Sequence, residues 1–325
     1  MKIDRRGLLG AAGTTLAALA CPNLALALDY PNRPLRLVLG FPPGGSADIV
    51  SRLIAQALSD RLGQTVVVDN RSGAGSNLAA AAVARAEPDG YTLLSVTVAN
   101  AINATLYSNL TFDYMKDFEP VGSIDVVPNV MDINPSLPPK TVPEFIAYAK
   151  ANPGQVSMGS GGIGSSPHVT GVLFNMMAGV DILHVPYRGV AGATTDLLAG
   201  NIQVLFDTLP AAIANIRTGR VRALAVTTKE RCEALPDVPA MSEYLPGYEA
   251  TSFHGIAAPK GTPPDIVAKL NAELNAALRE PELRAKLANL GGIVMTGAPA
   301  DFGTYVGGEI EKWAKVIRFS GAKAE

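Results

Sequence analysis

Apolar runs of strand length alternate with segments of helical periodicity along most of this chain, and this alternation constrains the fold more than any other feature. The runs occupy residues 35–39, 65–68, 92–96, 155–158, 182–185, 202–206 and 221–226. Helical spacing of apolar residues occurs at 49–62, 78–86, 142–151, 168–177, 192–199 and 264–278. Strands that alternate with helical crossovers favour mainly parallel sheets flanked by helices, so the sequence predicts an α/β protein.

A glycine-rich loop, Phe41-Pro42-Pro43-Gly44-Gly45-Ser46-Ala47-Asp48, follows the first apolar run and precedes the first amphipathic segment. Its prolines end the strand, its glycines let the backbone approach a ligand, and Ser46 is suited to cap the next helix. The first amides of that helix then point into open space, where they can bind an anion without lysine or arginine. The alternative is an ordinary strand-to-helix turn.

A second loop of the same kind occupies residues 158–168, again between a strand and a helix. Ser166 is the expected N-cap, and Pro167 is suited to the first helical position, where its missing amide hydrogen costs nothing. Two such loops, about 115 residues apart, predict two α/β lobes that present helix N-termini to a shared cleft. A single domain with two unrelated loops is the alternative.

Two segments with extended, β-prone composition and scattered prolines are candidates for connections between the lobes. They cover residues 121–134 and 247–258. The sequence thus predicts one lobe from residues 28–125 plus 251–325 and a second from 126–250. Two connections between lobes form a hinge.

The first 27 residues have the organisation of an export signal. Arg5-Arg6-Gly7-Leu8-Leu9 precedes a short apolar stretch, and Ala25-Leu26-Ala27 offers a cleavage site, which predicts a periplasmic mature protein. The paired arginines resemble a twin-arginine signal, but the flanking Asp4 and Gly10 are not the preferred residues, so general secretion stays an alternative.

The composition of the mature chain excludes several kinds of partner. The formal charge of the full chain is −2, and removal of a signal carrying three basic residues and one acidic residue takes it to about −4. Such a chain is not expected to bind nucleic acid or an anionic membrane, and no later apolar stretch predicts membrane insertion. Cys232 is the single cysteine after residue 27, so an internal disulfide is excluded. We expect a monomer.

The sequence predicts neither a cofactor nor a metal. Residues 159–164 match G-x-G-x-x-G, but Asp181 precedes the next strand instead of ending it, which argues against a dinucleotide site. The three histidines, His168, His184 and His254, lack metal-ligand spacing. His184 is expected to be a hydrogen-bonded core residue. His168 is either a ligand contact or a capping or exposed residue.

Taken together, six motifs resemble those of one family, the solute receptors of tripartite tricarboxylate transporters, also called TctC-like or Bug proteins. They span essentially the whole mature chain and are Phe41-Pro42-Pro43-Gly44-Gly45-Ser46-Ala47-Asp48, Leu62-Gly63-Gln64, Asn70-Arg71-Ser72-Gly73-Ala74-Gly75, Pro88-Asp89-Gly90-Tyr91-Thr92-Leu93, His184-Val185-Pro186-Tyr187-Arg188-Gly189 and Leu235-Pro236-Asp237-Val238-Pro239. The resemblance implies a two-lobed periplasmic binding protein, of type II-like architecture, without catalytic activity.

The same resemblance implies a small carboxylate ligand, a dicarboxylate or an aromatic acid, that is delivered to the permease subunits of a membrane transporter. Main-chain amides and ordered waters at the two glycine loops hold the carboxylate in that family. The residues that correspond here are Pro43, Gly44, Gly45, Ser46, Ala47, Asp48, Thr97, Asn100, Ser160, Gly161, Gly164, Ser165, His168, Tyr187, Arg188 and Asp207. Asp207 is expected either to receive an amine or hydroxyl of the ligand or to cap the next turn.

One stretch departs from the family, and two other functions stay open. Ser252-Phe253-His254-Gly255 stands where the family usually has a tryptophan, which changes the expected pocket shape. The alternative to a receptor is an exported hydrolase or lyase on the same scaffold, with His168 and Asp48 as acid-base groups. A third hypothesis is a receptor that docks a sensor protein instead of a permease.

Overall fold

The computed structural model describes residues 30–320 and 322–324. The predicted signal peptide therefore lies outside the described residues. Within them, no helix combines the length and the apolar composition needed to cross a bilayer.

Ten strands and eleven α-helices make up the described chain. The strands are β1 Leu35–Leu39, β2 Val66–Asn70, β3 Thr92–Thr97, β4 Phe118–Ile133, β5 Ser157–Ser160, β6 Leu183–Pro186, β7 Val204–Thr208, β8 Arg222–Val226, β9 Thr251–Pro259 and β10 Ile293–Val294. The helices are α1 Ser46–Leu62, α2 Asn77–Ala84, α3 Val98–Leu106, α4 Tyr114–Asp117, α5 Val142–Ala151, α6 Ser166–Ala178, α7 Val190–Ala199, α8 Leu209–Arg217, α9 Pro264–Arg279, α10 Pro281–Asn289 and α11 Pro299–Ser320. Short 3₁₀ helices occur at Ala74–Ser76 and Met241–Glu243. The α/β class is confirmed, and each predicted strand and helix occurs within about three residues of its predicted bounds.

The strands form a mixed sheet in the order β2-β1-β3-β9-β4-β7-β5-β6, with β8 and β10 paired to β4. Strands β2, β1 and β3 pair in parallel, as do β7, β5 and β6. The ladders that involve β4 and β9 are antiparallel. Each parallel group is the βαβ arrangement that the alternating sequence pattern predicts.

The long strand β4 joins the two parallel groups. Residues 118–128 pair with β9, and residues 129–133 pair with β7 and β8. The segments that the sequence predicts as connections therefore contain β4 and β9, which run in opposite directions because one leaves the first group and the other returns to it. The predicted lobe boundaries near residues 125 and 250 stay a prediction.

Buried apolar faces hold the helices against this sheet. Val50, Ile54 and Leu58 of α1 lie on one helix face and pack into a cluster with strand β1 and helix α9. Phe174 of α6 is fully buried and contacts the ring of Phe206 on β7, with centroids 5.2 Å apart. Burial of each such side chain contributes about 1.5–3 kcal/mol. The helices that follow the two glycine loops are therefore fixed by their cores, and their N-termini are fixed with them.

Candidate functional site

The first glycine loop leads directly into helix α1. Gly45 has extended backbone angles and occupies the N-cap position, so Ser46 is the first helical residue and not the cap that the sequence predicts. Gly44 has φ +93°, a left-handed conformation that favours glycine. The amides of Ser46 and Ala47 donate no hydrogen bond within residues 30–320. Two N–H groups of the first turn are thus free to bind a ligand.

The side chain of Asp48 holds this loop in place by hydrogen bonds. Its carboxylate accepts hydrogen bonds from the Gly44 amide at 3.1 Å, Arg52 Nε at 3.0 Å and Asn70 Nδ2 at 3.0 Å. Asn70 also donates to the carbonyl of Phe41 at 2.9 Å. Burial alone would raise the pKa of Asp48, but the bonds from Arg52, Asn70 and Gly44 outweigh it and lower the pKa. Asp48 is therefore ionised at neutral pH and holds both ends of the loop.

The second glycine loop leads in the same way from β5 into helix α6. Ser165 is the N-cap residue, with Ser166 and Pro167 as the first two helical residues, so the helix begins one position earlier than the sequence predicts. The hydroxyl of Ser165 donates to the carbonyl of Gly162 at 2.6 Å, which closes the loop on itself. Gly164 has φ +83°, so glycine is favoured here too.

Two histidine rings support this second loop from the protein interior. The rings of His168 and His184 lie 4.2 Å apart, and Ser160 Oγ lies 2.7 Å from His184 Nε2. The Gly164 amide donates to His168 Nδ1 at 3.3 Å. Burial lowers the pKa of His184 to about 4, and burial together with His184 lowers that of His168 to about 3. Both rings are neutral at neutral pH, and His168 is a buried cap of the loop.

We expect His168 and His184 to lower the free energy of unfolding as the pH falls from about 6.5 toward 4. The unfolded chain takes up protons below about 6.5 while the folded rings stay neutral, so each ring costs about 1.4 kcal/mol per pH unit until its folded pKa is reached. Replacement His184→Gln keeps a partner for Ser160 and removes one titrating ring. The melting temperature should therefore fall less between pH 7 and pH 4.5 in the variant than in the wild type. An equal fall in both proteins would contradict the assignment of His184 as a buried neutral ring.

A cavity of about 70 Å³ lies between the two glycine loops. This exceeds the roughly 10–15 Å³ that a cavity needs to hold one water. The lining residues are Phe41, Pro42, Gly45, Ser46, Ala47, Thr97, Val98, Ala99, Gly161, Ser165, Ser166, Pro167, Gly189, Val190, Asp207, Thr208, Ser252 and His254. The walls approach closely beside it, since a Cβ added to Gly189 would lie 2.3 Å from Pro42 Cγ.

Five helix N-termini converge on this cavity. Helices α1, α3, α6, α7 and α8 each place their N-cap residue on its wall, and all but α8 also place their first helical residue there. None of the lining residues is lysine or arginine. Each helix N-terminus carries a partial positive charge, so the cavity favours an anion through backbone dipoles and amides instead of cationic side chains.

Seven of the sixteen residues predicted to bind the ligand lie on the cavity wall. They are Gly45, Ser46, Ala47, Thr97, Gly161, Ser165 and Asp207. Pro43 and Gly44 are exposed in the first loop. Four more form hydrogen bonds that hold the two loops in place, namely Asp48, Ser160, Gly164 and His168. The side chain of Asn100 accepts a hydrogen bond from the Thr97 amide at 2.9 Å in the capping box of α3. Tyr187 and Arg188 line a neighbouring cavity, where Tyr187 Oη donates to Asp196 at 2.5 Å.

A buried carboxyl on the wall faces the same space. Asp207 is 1% exposed, and its Oδ1 accepts from the amide of Thr208, the N-cap of α8, at 2.7 Å. Burial raises the pKa of Asp207 to about 7. A second buried carboxyl, Asp132 on β4, has its pKa raised by burial and then by Asp207.

A polar pair on the wall is not among the residues predicted from the sequence. His254 of β9 lines the cavity, with Nδ1 2.7 Å from Asp125 Oδ1 and Nε2 3.3 Å from Ser46 Oγ. The pairing of β9 with β4 brings Asp125 opposite His254, although 129 positions separate them. The single hint in the sequence is that His254 falls in the stretch that departs from the family.

Comparison with known proteins identifies relatives over nearly the whole length. The model of the "Tripartite tricarboxylate transporter family receptor" matches residues 50–321. Among solved structures, the chain is 39% identical to Rpa4515 of R. palustris with adipate, over 90% of this chain and 99% of that one, with a TM-score of 0.88. It is 34% identical to the periplasmic binding protein BugD, over 91% and 100%, with a TM-score of 0.87. It is also 34% identical to MatC of Rhodopseudomonas palustris with bound malate, over 89% and 100%, with a TM-score of 0.85.

Proposed function

Because the chain belongs to the tripartite tricarboxylate transporter receptor family, we propose that it captures a small carboxylate between the two glycine loops and delivers it to the permease subunits of a tripartite transporter. Members of this family are periplasmic solute receptors and not enzymes. The proposed location is the periplasm, reached through the signal peptide at residues 1–27, and the proposed state is a monomer.

The convergence of five helix N-termini on a cavity without lysine or arginine carries this proposal. A micromolar ligand requires about 8 kcal/mol. Each helix N-terminus contributes about 0.3–2 kcal/mol to a bound anion, and each hydrogen bond to a charged group adds a net of about 1.5–3 kcal/mol. Five N-termini and a few free amides therefore supply enough free energy without a direct ion pair.

The ligands of two relatives support an aliphatic dicarboxylate over an aromatic acid. Rpa4515 was solved with adipate and MatC with malate, and both are small aliphatic dicarboxylates. The two residues named as acid-base groups of the hydrolase alternative have supporting contacts instead, because His168 caps the second loop and Asp48 is held by Arg52.

We expect one or more carboxylates of a thermal-shift panel to stabilise the purified protein. The panel contains adipate, malate, succinate, citrate and benzoate, with adipamide as an uncharged control of the same shape as adipate. A ligand present at a hundred times its Kd adds about 2.7 kcal/mol, which corresponds to roughly 4 °C for a protein of this size. Calorimetry then gives the affinity, and mass spectrometry identifies any acid that is retained through purification.

The proposal fails if no acid in the panel stabilises the protein and no acid is retained through purification. Stabilisation by adipamide equal to that by adipate would also contradict it, because the helix N-termini favour charge. Delivery to a permease is tested separately, by loss of uptake of the bound acid in a strain that lacks the receptor. Retained uptake together with a lost signalling response would favour the sensor hypothesis.

A further inference from the structure

The imidazole of His254 is the one side chain with a basic ring nitrogen on the cavity wall, and the proposed function gives it no role. The residue is 2% exposed and lies in the middle of β9, between β3 and β4. Its main-chain partners in the sheet are Thr97 and Asp125. Strand pairing therefore holds the ring in place from both sides.

Asp125 fixes which ring nitrogen faces the ligand. Its carboxylate is completely buried, and Oδ1 lies 2.7 Å from His254 Nδ1. A carboxylate in that position accepts the Nδ1 proton, which leaves Nε2 as the ring atom available to a ligand. Asp125 Oδ2 has no hydrogen-bond partner, and His254 is its single basic partner within the described residues. With this carboxylate accepting from Nδ1–H, Nε2 can donate to a second carboxylate only when both ring nitrogens carry a proton.

The available nitrogen points to the first glycine loop. His254 Nε2 lies 3.3 Å from Ser46 Oγ, and Ser46 is the first residue of α1, where its own amide and that of Ala47 have no acceptor in the described chain. A carboxylate bound to these amides lies beside Nε2. The same oxygen atoms would then be shared between the helix N-terminus and the imidazole.

We propose that His254 binds the ligand carboxylate through an Nε2–H donor, as an imidazolium held between two carboxylates, with Asp125 as the residue that positions the ring. This inference rests on the proposed function and deepens it, because it assigns one carboxylate to a defined place at the N-terminus of α1. It also selects for ligands that are ionised at that end, since an uncharged amide gains less from the imidazolium than a carboxylate does.

Few other ionisable groups lie around this pair. Asp207 is on the same cavity wall. Tyr305 of α11 has its pKa raised by burial and then by Glu309, Glu249 and Asp125, so its phenol is neutral near the pair. Strand β3 contributes Ser95 and Thr97, which do not titrate in this range. Asp125 is therefore the charge that acts most directly on His254.

The ring nitrogens of the wild-type protein give a direct test. The chain contains three histidines, and His168 and His184 are neutral at pH 7.5 because their pKa values are lowered. We expect addition of the tightest-binding acid of the panel at pH 7.5 to move the ¹⁵N shifts of one ring, His254, to imidazolium values. The signals are assigned by their loss in His254→Gln. A ring that stays neutral in the saturated complex would overturn the proposal.

A matched set of variants tests the same point by affinity. His254→Gln keeps a polar side chain of similar length without the charge, and its affinity for the acid should fall about ten- to a hundredfold by calorimetry. Lys260→Gln removes one positive charge just past the outer end of β9, where Lys260 is exposed and paired with Glu119 at 2.8 Å, and should leave affinity unchanged. In the complex of the Asp125→Asn variant, the ¹⁵N shifts of His254 should keep the values of a neutral ring. A purely structural role of Asp125 would not produce this result.

The outcomes separate this inference from the proposed function. If the wild type binds no acid, the proposed function fails. If the wild type binds and a folded His254→Gln variant binds equally well, this inference alone fails.

The order Ser46, His254, Asp125 is also that of a hydrolytic triad. If the wild type hydrolyses p-nitrophenyl acetate faster than the Ser46→Ala variant does, the assignment of His254 as a ligand-binding residue is overturned.

Discussion

Replacement of Gly45 by leucine is expected to weaken carboxylate binding by at least a hundredfold in a protein that still folds. Gly45 has φ −88° and ψ 169°, angles that any residue adopts, so the new side chain does not strain the backbone. A Cβ at this position would lie 3.4 Å from Val190 Cγ1, its one neighbour within 4 Å. The rest of the leucine side chain must then enter the space between the first loop and α7. It would cover the free amides of Ser46 and Ala47.

The measurement is calorimetry with the tightest-binding acid, together with melting temperature and circular dichroism as tests of folding. Gly308→Leu is the matched control, because Gly308 is exposed on α11 and a Cβ there meets nothing within 4 Å. The control should bind like the wild type. Undiminished affinity in a folded Gly45→Leu protein would exclude the first glycine loop from the binding site.

The glycine loops were predictable because their signals are local. A strand, a run of glycine and proline, and an amphipathic helix follow one another within about 25 residues in each case. The caps were one position off for an equally local reason: Ser165 and Ser166 both suit an N-cap, and the backbone angles that decide between them are not readable from composition. Errors of one residue at helix ends leave the direction of the helix unchanged.

Asp48 shows that a family resemblance says little about a residue's contacts within the protein. It lies in a loop that resembles a binding loop, but its carboxylate is held by Arg52, Asn70 and the Gly44 amide. The four-residue spacing from Asp48 to Arg52 on a helix already favours an ion pair. That spacing was available in the sequence and indicates a supporting role for Asp48 in the loop.

The pair formed by Asp125 and His254 was not predictable, because it depends on the register of two long antiparallel strands. Asp125 is in the interior of β4 and His254 in the interior of β9, with a register irregularity between Ser123 and Asp125. An irregularity of this kind changes which side chains face the cavity, and neither composition nor periodicity locates it. The alternating pattern could also not show that β4 and β9 are antiparallel, since both are simply extended segments in the sequence.

The cavity wall carries groups of different electrostatic character. The N-termini of α1 and α3 meet at His254, while Asp207 stands at the N-terminus of α8. A carboxyl group is unexpected in a cavity that favours anions. It is compatible with a bound carboxylate if it carries a proton, or if it accepts a hydrogen bond from an amine or hydroxyl at the other end of the ligand. Its cost to the free protein can be measured.

Replacement of Asp207 by asparagine is expected to raise the melting temperature at pH 8 by several degrees and to raise it less as the pH falls toward 4. Burial raises the folded pKa of Asp207 to about 7 from the usual 3.8. The folded protein therefore holds a proton that the unfolded chain releases between these values, so stability falls as the pH rises from about 4 to about 7. Above pH 7 the cost levels off at about 4 kcal/mol. Asparagine removes this cost and still accepts the bond from the Thr208 amide.

Asp132→Asn is the matched control for function. Asp132 is a second buried carboxyl with a raised pKa, but it is not on the cavity wall, so its replacement should increase stability at pH 8 without a change in affinity. Asp207→Asn should instead lower affinity about tenfold or more for an acid with an amine or hydroxyl group, because the charged acceptor is lost. A variant that gains stability and loses binding would show that the buried charge is maintained for the ligand. If Asp207→Asn gains stability and binds every acid as the wild type does, Asp207 is no ligand contact and acts only beside the N-cap of α8.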